Sequence, residues 1–377
     1  MFNKRNKHLQ LWLWILIILL LGILFYGLRP KNFNFENGVT WLKDGPGVRF
    51  NKYGLAFAQS FLKQVDNDAT FENGFSIELS FKPTGNTSGG FGFVLSIHDG
   101  SDRNQLLVGQ WRSYIIVMNG DDYDHKRKNP RISVDTALQK DKPIFLTITT
   151  GKQGTRIYID GKLAKSNSKL KLTLPSGDSR LTVGNSVYGN NSWEGEIHGL
   201  ALYSYPVSED EVASHFDRKS AVKNFTFGKA YQPALLYAFE EGKGTQVLDQ
   251  SGNGAHLDIP QKMQVLQKRF LSVPWHNLKL NRSLYADLVV NLIGFIPLGL
   301  VLSVTLSLYR GQFDKNVMVF SVLLCFLLSM GIEIGQAWIP SRSSNLHDLV
   351  LNTIGGWIGA LLGAEINRRA GDDKRET

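Results

Sequence analysis

Three apolar segments near the C-terminal end constrain this chain more than any other feature. They lie between Tyr285 and Arg369, and each is about as long as the roughly 20 residues of helix that cross a bilayer. A fourth apolar run extends from Leu11 to Leu28. The mean hydropathy of the whole chain is only -0.14, because the apolar residues are concentrated at its two ends. The sequence therefore predicts an integral membrane protein with a long polar segment between its first two spans.

The apolar runs predict four transmembrane helices. We interpret the first as a retained signal anchor, because its run is long and bulky residues follow it where a cleavage site would have small ones. The last three helices form a predicted membrane domain at 285–367. We expect the four helices at about 9–28, 285–308, 316–338 and 348–366, with cytoplasmic ends at 1–8 and 368–377.

Basic residues beside the apolar runs set the expected orientation. Lys4, Arg5 and Lys7 precede the first run, and Arg310 and Lys315 lie between the second and third. The tail after the last run is also basic. Because cytoplasmic loops are enriched in Lys and Arg, both ends of the chain are predicted to be inside. The segment between the first two spans is then extracytoplasmic.

Charge and cysteine content narrow the classes of partner. The formal net charge is +9, and the one cysteine, Cys325, lies inside an apolar run. A basic chain can contact nucleic acid, but here the Lys and Arg residues flank apolar segments and form no stripe with aromatic residues. We therefore predict the lipid bilayer as a partner and no nucleic acid. A single cysteine excludes an intramolecular disulfide and a cysteine metal cluster.

The segment 33–218 has the alternation that is typical of β-strands. Apolar and polar residues alternate over 75–82, so one face is expected to be buried and the other to meet solvent. Asp160–Gly161 is expected to form a tight hairpin turn. One short helix is expected where Ser208 and Glu211 have the spacing of a capping box. Many short strands with so little helix predict an antiparallel sandwich or jelly roll.

The same segment resembles the LamG-like, concanavalin A-type jelly-roll family. The resemblance rests on the order of four runs, which read FSIELSFKP, RIYIDGKLA, RLTVGN and WEGEIHGLALYSYPVSEDEV. It implies a domain that binds a glycan, a protein or calcium, and some members of the family are glycanases. The predicted fold class is an all-β jelly-roll sandwich (LamG/concanavalin A-like) inserted in an α-helical membrane bundle of four transmembrane helices.

Four residues of this segment are candidates for sugar chemistry. Glu194 and Glu196 share a strand face, but the third acid and the Asp of the family's glycanase pattern are missing. We therefore interpret both as part of a solvated sheet face and predict no catalytic residue. Trp111 and Trp193 could stack on a sugar, yet as strand residues they are expected in the core.

Calcium is the one cofactor that the sequence leaves open. Asp121, Asp122 and Asp124 could supply oxygen ligands for calcium. Ion pairs with the basic residues that follow them in the same loop would explain them equally well. Asp249 and Asn253 are weaker candidates, because turn chemistry alone accounts for them. We predict no other cofactor.

Residues 219–284 form a connector between the sandwich and the second span. Part of it reads LLYAFEEGKGTQVLDQSGNG and resembles the opening of a LamG-like domain. The connector is too short for a second sandwich, and the apolar run 235–239 needs burial. We therefore expect an added pair of strands, with a partial duplication as the alternative. Trp275 and His276 are expected at the membrane surface.

Polar residues interrupt the three C-terminal apolar runs. Ionisable groups at membrane depth are costly, so they normally face a bundle interior or a polar cavity. In the predicted topology all of them lie within a turn or two of the outer interface. Asp287 and Asn291 are four residues apart, as are Asp348 and Asn352, and Glu333 and Gln336 are three apart. Each pair therefore lies on one face of its helix. The predicted outer-leaflet cluster consists of Asp287, Asn291, Glu333, Gln336, Arg342, Asp348 and Asn352.

These residues also carry a resemblance to the VanZ-like family. Asp287 to Gly299 reads D-x-x-x-N-x-x-x-F-x-P-L-G, and Arg342 to Gly355 reads R-x-x-N-L-x-D-x-x-x-N-x-x-G. By this comparison Leu11–Leu28 is the family's first span. The resemblance implies a bacterial cell-envelope protein in a family named for glycopeptide resistance, and it implies no established reaction.

Three hypotheses for the cluster follow. Arg342 could pair with Glu333 or Asp348 and serve only to orient the helices. The cluster could form a polar pocket in which Arg342 holds the phosphate or carboxylate of a lipid-linked or cell-wall headgroup. Glu333 and Asp348 could instead act as acid and base of an embedded enzyme.

We predict a multi-pass protein of the bacterial cytoplasmic membrane that displays a binding domain outside. Its expected partners, besides lipid, are an envelope glycan, a cell-wall component, a lipid-linked headgroup or a surface protein. The alternative is an enzyme or a glycopeptide-resistance factor that acts on a lipid-linked envelope substrate.

Overall fold

The computed structural model divides the chain into two compact units, 34–267 and the combination of 1–33 with 268–377. Each unit is described by itself below. The structure describes residues 2–30, 35–59, 71–84, 90–122, 125–175, 177–222, 225, 231–268, 270–272, 282–339, 342 and 344–376.

The unit 34–267 is built from short antiparallel strands. In chain order they are β1 (Val39–Trp41), β2 (Val48–Phe50), β3 (Ala56–Ala58), β4 (Gly74–Pro83), β5 (Gly92–His98), β6 (Leu106–Trp111), β7 (Tyr114–Asn119), β8 (Arg131–Val134), β9 (Ile144–Gly151), β10 (Gly154–Ile159), β11 (Lys162–Asn167), β12 (Arg180–Val183), β13 (Gly195–Tyr203), β14 (Leu235–Tyr237), β15 (Gln246–Val247) and β16 (Leu257–Asp258).

Among the described residues, the strands form two eight-stranded sheets. One has the order β1-β2-β13-β4-β9-β10-β11, with β14 paired to β13, and the other has the order β15-β16-β3-β12-β5-β6-β7-β8. Phe75, Ile77 and Leu79 of β4 lie in the apolar core that both sheets share. This arrangement confirms the predicted sandwich.

The second face of β4 differs from the prediction. Ser76 and Glu78 are fully buried and do not meet solvent, because helix α2 (Glu209–Val222) covers this face. The helix begins at the predicted capping box, where Glu211 N donates to Ser208 Oγ and Ser208 N donates back to Glu211 Oε2. Val212 of α2 packs against the sheet. Alternation alone predicted that this face of β4 is exposed to solvent, whereas the structure buries it.

The connector contributes strands to both sheets. β14 pairs with β13 through Leu200 and Tyr237, and β16 pairs with β3 through Phe57 and Asp258. The compact unit therefore includes most of the connector and continues to Gln267. The predicted positions of Trp275 and His276 lie outside the described residues.

In the other unit, the described residues form four helices: α1 (Phe2–Leu28), α3 (Arg282–Arg310), α4 (Lys315–Trp338) and α5 (Leu346–Glu376). Each contains a segment long and apolar enough to cross a membrane. Large apolar side chains remain exposed on them, including Trp14, Phe25 and Leu327. Apolar surface of this extent is unfavourable in water, whereas lipid accommodates it.

Glycines set the close approach of α3 and α5. A Cβ on Gly355 would overlap the carbonyl oxygen of Leu292, and one on Gly359 would overlap that of Ile296. Small residues at four-residue spacing let two helix backbones touch in a membrane. The two helices are therefore packed backbone to backbone along this face.

Candidate functional site

The six described side chains of the predicted cluster lie at one end of the helical unit. Asn291 is near the start of the α3 span, Glu333 and Gln336 are near the end of α4, and Asp348 is in the first turn of α5. Asn352 lies one turn further along α5, and Arg342 is in the loop before that helix. The side chain of Asp287 lies outside the described part of the chain.

Asp348 connects two helices and the preceding loop. Its Oδ1 accepts from Asn291 Nδ2 of α3 at 2.5 Å and lies 3.0 Å from His347 Nε2. Its Oδ2 accepts from Asn345 Nδ2 at 3.3 Å. The carboxylate is thus surrounded by donors from its own unit, which explains how a charged group is tolerated here.

Hydrogen bonds to Glu333 hold the loop before α5 against α4. This side chain is buried, and its Oε2 accepts from the backbone N–H of Asn345 at 2.7 Å. The hydroxyl of the buried Ser344 also hydrogen-bonds to it. One carboxylate therefore holds two consecutive loop residues at the end of the helix.

Gln336 and Arg342 converge on α1. Gln336 Nε2 and Arg342 Nη2 both donate to the carbonyl oxygen of Gly27, at 2.9 and 2.8 Å. This oxygen belongs to the last turn of α1, where no intrahelical partner exists. The Arg342 guanidinium therefore caps the first helix. From the sequence, Glu333 or Asp348 was expected as its partner, but the hydrogen bond goes to Gly27 O.

A segment before α3 completes the network. Lys268 Nζ donates to the carbonyl oxygens of Ile339 and Arg342, the latter at 3.0 Å, and burial lowers the pKa of this lysine. Ser272 Oγ donates to Asn345 Oδ1 at 2.6 Å, an amide orientation that also lets Asn345 Nδ2 donate to Asp348. Hydropathy did not point to Lys268 or Ser272, which lie outside the apolar runs, whereas Asn345 belongs to the motif that begins at Arg342.

Asn352 lies apart from the other members. Its Nδ2 donates to Ser329 Oγ of α4 at 2.9 Å, and both residues are buried. Two buried atoms, Asn352 Oδ1 and His347 Nδ1, find no hydrogen-bond partner among the described residues. Each described side chain of the cluster makes at least one hydrogen bond to another protein group, and most of these bonds join a helix to another helix or to the loop before α5.

Glu196 on the sandwich is not the solvated residue that was expected. It is buried, with Arg49 Nη2 2.5 Å from its Oε1 and Lys82 Nζ 2.7 Å from its Oε2. Burial raises the pKa of Glu196, but the hydrogen bonds and charges of Lys82 and Arg49 outweigh burial and lower it. The carboxylate is therefore a neutralised structural anion, whereas Glu194 beside it remains partly exposed.

The two tryptophans have different environments. Trp193 is fully buried, as expected, and its Nε1 donates to Gln110 Oε1 at 2.6 Å. Trp111 is 40% exposed, which contradicts the core prediction. It ends β6 at the surface, where the guanidinium of Arg112 lies 4.7 Å from its ring centroid.

The predicted calcium ligands are engaged by protein donors. Asp122 is buried and accepts from the backbone N–H groups of Arg127 and Asn129 at 2.9 and 2.8 Å. Burial raises its pKa, and these bonds together with the Arg127 charge lower it below the usual value. Asp121 pairs with Arg127, and Asp124 lies outside the described residues.

The second loop with candidate calcium ligands, at Asp249 and Asn253, is also held by hydrogen bonds within the protein. Both carboxylate oxygens of Asp249 accept, from Leu236 N, Ser251 N and Ala255 N, and Asn253 donates to Ala234 O. Calcium needs free oxygen ligands. In the described parts of the chain, no group of three or more His, Cys, Asp or Glu residues could hold a metal. The described acidic residues of both loops are thus held by hydrogen bonds within self-contained turns.

Comparison with known families gives two matches. Residues 234–366 match the model for VanZ/LLP1, and residues 60–213 match the model for the concanavalin A-like lectin/glucanases superfamily. The first match begins inside the sandwich unit, at the strands that the connector adds. No curated protein matches the chain.

Solved structures resemble the chain only distantly. A Bacteroides ovatus protein described as carbohydrate-binding is 12% identical, with 62% of this chain and 63% of that chain covered and a TM-score of 0.38. A Trypanosoma rangeli sialidase is 14% identical, covering 49% and 29%, and the botulinum neurotoxin serotype D binding domain is 15% identical, covering 49% and 46%; both have a TM-score of 0.38. The chain spans less than two thirds of each of these structures. Similarities at this level do not assign a function.

Proposed function

Because the chain combines a VanZ-like membrane part with a concanavalin A-like sandwich, we propose that it displays a carbohydrate-recognising domain outside the bacterial cytoplasmic membrane. The observation that carries the proposal is the position of the lectin/glucanase match, which lies wholly between the first and second candidate spans.

The distribution of basic residues supports the proposed side. Cations lie in the first turns of α1, at the facing ends of α3 and α4 (Arg310 and Lys315), and at the end of the last span (Arg368 and Arg369). Basic loops stay in the cytoplasm. Each of the three positions is separated from the sandwich by an odd number of spans, so the sandwich emerges on the opposite side.

Binding of a glycan is better supported than cleavage of a glycan. Cleavage of a glycosidic bond generally needs two carboxyl groups flanking the bond. Glu196, the acid that the sequence offered on β13, is buried and paired with Arg49 and Lys82, so it has no free oxygen for proton transfer. We therefore propose that the sandwich binds a glycan and does not cleave it.

The polar cluster has a separate, structural role in this proposal. Its hydrogen bonds join the end of α1 at Gly27 to α4 and to Arg342, and they join α4 to Asn345, just before α5. Such bonds in lipid contribute modestly one by one, but together they fix the position of helices. We propose that the cluster holds the first span, which carries the sandwich, against the other three.

Binding to purified envelope polysaccharides tests the proposal. The full chain, reconstituted in phosphatidylcholine nanodiscs, is expected to bind at least one bacterial envelope polysaccharide saturably, whereas empty nanodiscs do not. Biolayer interferometry with immobilised nanodiscs gives the readout. If protein with an intact thermal unfolding transition binds no polysaccharide of a broad panel, the proposed recognition is wrong.

A further inference from the structure

The turn between β6 and β7 carries an aromatic pair at the surface of the sandwich. Trp111 ends β6, Tyr114 begins β7, and the two residues are paired in the hairpin register. Side chains that lie opposite each other on antiparallel strands share one face of the sheet. The two ring centroids are accordingly 5.5 Å apart, with a tilt of 41° between the rings. The pair is separate from the polar cluster, which belongs to the other unit of the chain.

Two groups of opposite charge flank the aromatic pair. The guanidinium of Arg112 lies 4.7 Å from the centroid of the Trp111 ring. Asp135 directly follows β8, and the β7–β8 register continued by one residue brings it opposite Tyr114. The charge of Asp135 and a hydrogen bond to it raise the pKa of the Tyr114 hydroxyl, which agrees with this position. Trp111, Arg112, Tyr114 and Asp135 together form what we call the aromatic platform.

Trp111 keeps much of its surface in contact with solvent. It is 40% exposed even with Arg112 and Tyr114 beside it. Tyr114 is partly buried and packs on an apolar cluster that includes Ile116 and Met118. Trp and Tyr offer a large contact area at a small cost in side-chain entropy, because each has only two rotatable χ angles. The platform is therefore a firm surface against which a ligand can pack.

The turn has a backbone conformation that favours glycine. Arg112 has φ of +55°, in the left-handed region that is unfavourable for a residue with a Cβ. Its carbonyl oxygen accepts from Nε2 of the buried Gln110 at 2.8 Å, and Gln110 Oε1 accepts in turn from Trp193 in the core. Leu138 N donates to Ser113 O at 2.9 Å. Core residues thus fix a strained turn, and strain of this kind points to a role for the side chain that causes it.

Stabilisation of the hairpin is the simplest alternative explanation. A cross-strand aromatic pair contributes to the stability of two antiparallel strands. That role accounts for the contact between Trp111 and Tyr114. It does not account for an arginine at a turn position where glycine fits the backbone without strain.

Contact with lipid headgroups is a second alternative. Trp and Tyr are enriched at membrane surfaces, and Arg attracts anionic lipids. Asp135 argues against this role, because anionic lipids repel a carboxylate and its charge offsets that of Arg112. The platform therefore has no electrostatic preference for an anionic surface.

We infer that the aromatic platform binds a neutral glycan, with a pyranose ring stacked on Trp111. The inference rests on the proposed function, which supplies the carbohydrate, and adds the location and the chemical class. A pyranose whose hydroxyls are equatorial presents C–H groups that suit the electron-rich face of an indole. Arg112 can donate hydrogen bonds to sugar hydroxyls, and Asp135 can accept them. Offset charges and a stacking ring favour a neutral sugar over a polyanion.

Isothermal titration of the full chain in phosphatidylcholine nanodiscs tests the inference. The probes are cellohexaose and chitohexaose, which are neutral with equatorial hydroxyls, and the anionic polymer polygalacturonate. The variants are Trp111→Ala, Trp111→Phe and Arg112→Gly. Phe35→Ala is the matched control, because Phe35 is a 42% exposed aromatic residue of the same unit that also stacks on a tyrosine, Tyr53.

One pattern of results supports the inference. The wild-type chain and Phe35→Ala bind cellohexaose, chitohexaose or both, and Trp111→Ala binds at least about tenfold more weakly. Trp111→Phe retains an aromatic face and loses less affinity. Arg112→Gly unfolds at the wild-type temperature, because glycine fits the turn, yet binds about fivefold more weakly. Hairpin stabilisation alone predicts no loss of affinity in Arg112→Gly.

Other results would overturn the inference. Unchanged affinity in Trp111→Ala with an intact unfolding transition would leave the proposed function standing and locate its site elsewhere. If Trp111→Ala does not fold, unchanged affinity in Arg112→Gly would have the same meaning. Equal losses in Trp111→Ala and Phe35→Ala would show that the platform is not specific. Binding of polygalacturonate or another envelope polysaccharide, but of neither hexasaccharide, would contradict the neutral class.

Two further outcomes concern the alternatives. If brominated phosphatidylcholine quenches more fluorescence in the wild-type chain than in Trp111→Ala, and glycan affinity is unchanged, the platform contacts lipid and the inference is wrong. Absence of binding to every glycan, the broad panel of envelope polysaccharides included, would contradict the proposed function itself and the inference with it.

Discussion

Glu78→Ala is expected to lower the free energy of unfolding of the sandwich by about 3–5 kcal/mol. Glu78 is fully buried between β4 and α2. His215 Nδ1 lies 2.8 Å from its Oε1, and Tyr203 Oη donates to its Oε2 at 3.0 Å. Thr147 Oγ1 also donates to Oε1, at 3.4 Å, and all three partners are fully buried, so the alanine variant leaves three polar groups in the interior without this acceptor.

Chemical unfolding of the full chain in detergent, followed by tryptophan fluorescence, measures this loss. Glu240→Ala removes an exposed glutamate of the same unit and is the matched control, with no measurable change expected. Glu78→Gln retains an acceptor and is expected to cost less than Glu78→Ala. If Glu78→Ala were as stable as the control, the buried network would contribute nothing to holding α2 on the sheet.

Glu333→Ala is expected to reduce both membrane abundance and the Tm of the helical unit. The change removes the acceptor for Asn345 N and for the Ser344 hydroxyl, both of which are in a partly or fully buried loop. Leaving such donors unsatisfied costs about 1–3 kcal/mol. The loop that also positions Arg342 on Gly27 is then released from α4.

Thermal aggregation in native membranes and immunoblot abundance provide the measurement. Glu365→Ala is the matched control, because Glu365 lies in α5 and bonds only to the exposed Arg368 and Arg369 among the described residues. The control is expected to be unaffected. A Glu333→Ala protein with normal abundance and normal Tm would favour the ligand-pocket hypothesis for the cluster over the structural one.

The sandwich and the four helices could be predicted from local pattern. Alternation in β4 identified its core face, and the capping spacing of Ser208 and Glu211 located the start of α2. Both signals are local, since they depend on residues a few positions apart. The burial of Glu78 and Glu196 could not be predicted in this way, because their partners His215 and Arg49 are distant in the chain.

The candidate site shows the same limit. Hydropathy singled out Glu333 and Asp348 because charges inside apolar runs are conspicuous. It could not show that Arg342 bonds to Gly27, since a backbone carbonyl has no sequence signature.

The location of the sandwich outside the cytoplasmic membrane is the central claim, and cysteine labelling tests it most directly. In a Cys325→Ala background, single cysteines are placed at Lys243 on the sandwich and at Gln312 in the loop between α3 and α4, both exposed positions. Spheroplasts are treated with a membrane-impermeant maleimide before and after permeabilisation. We predict that Lys243→Cys is labelled in intact spheroplasts and Gln312→Cys only after permeabilisation. The reverse pattern, or equal labelling of both positions in intact spheroplasts, would contradict the account.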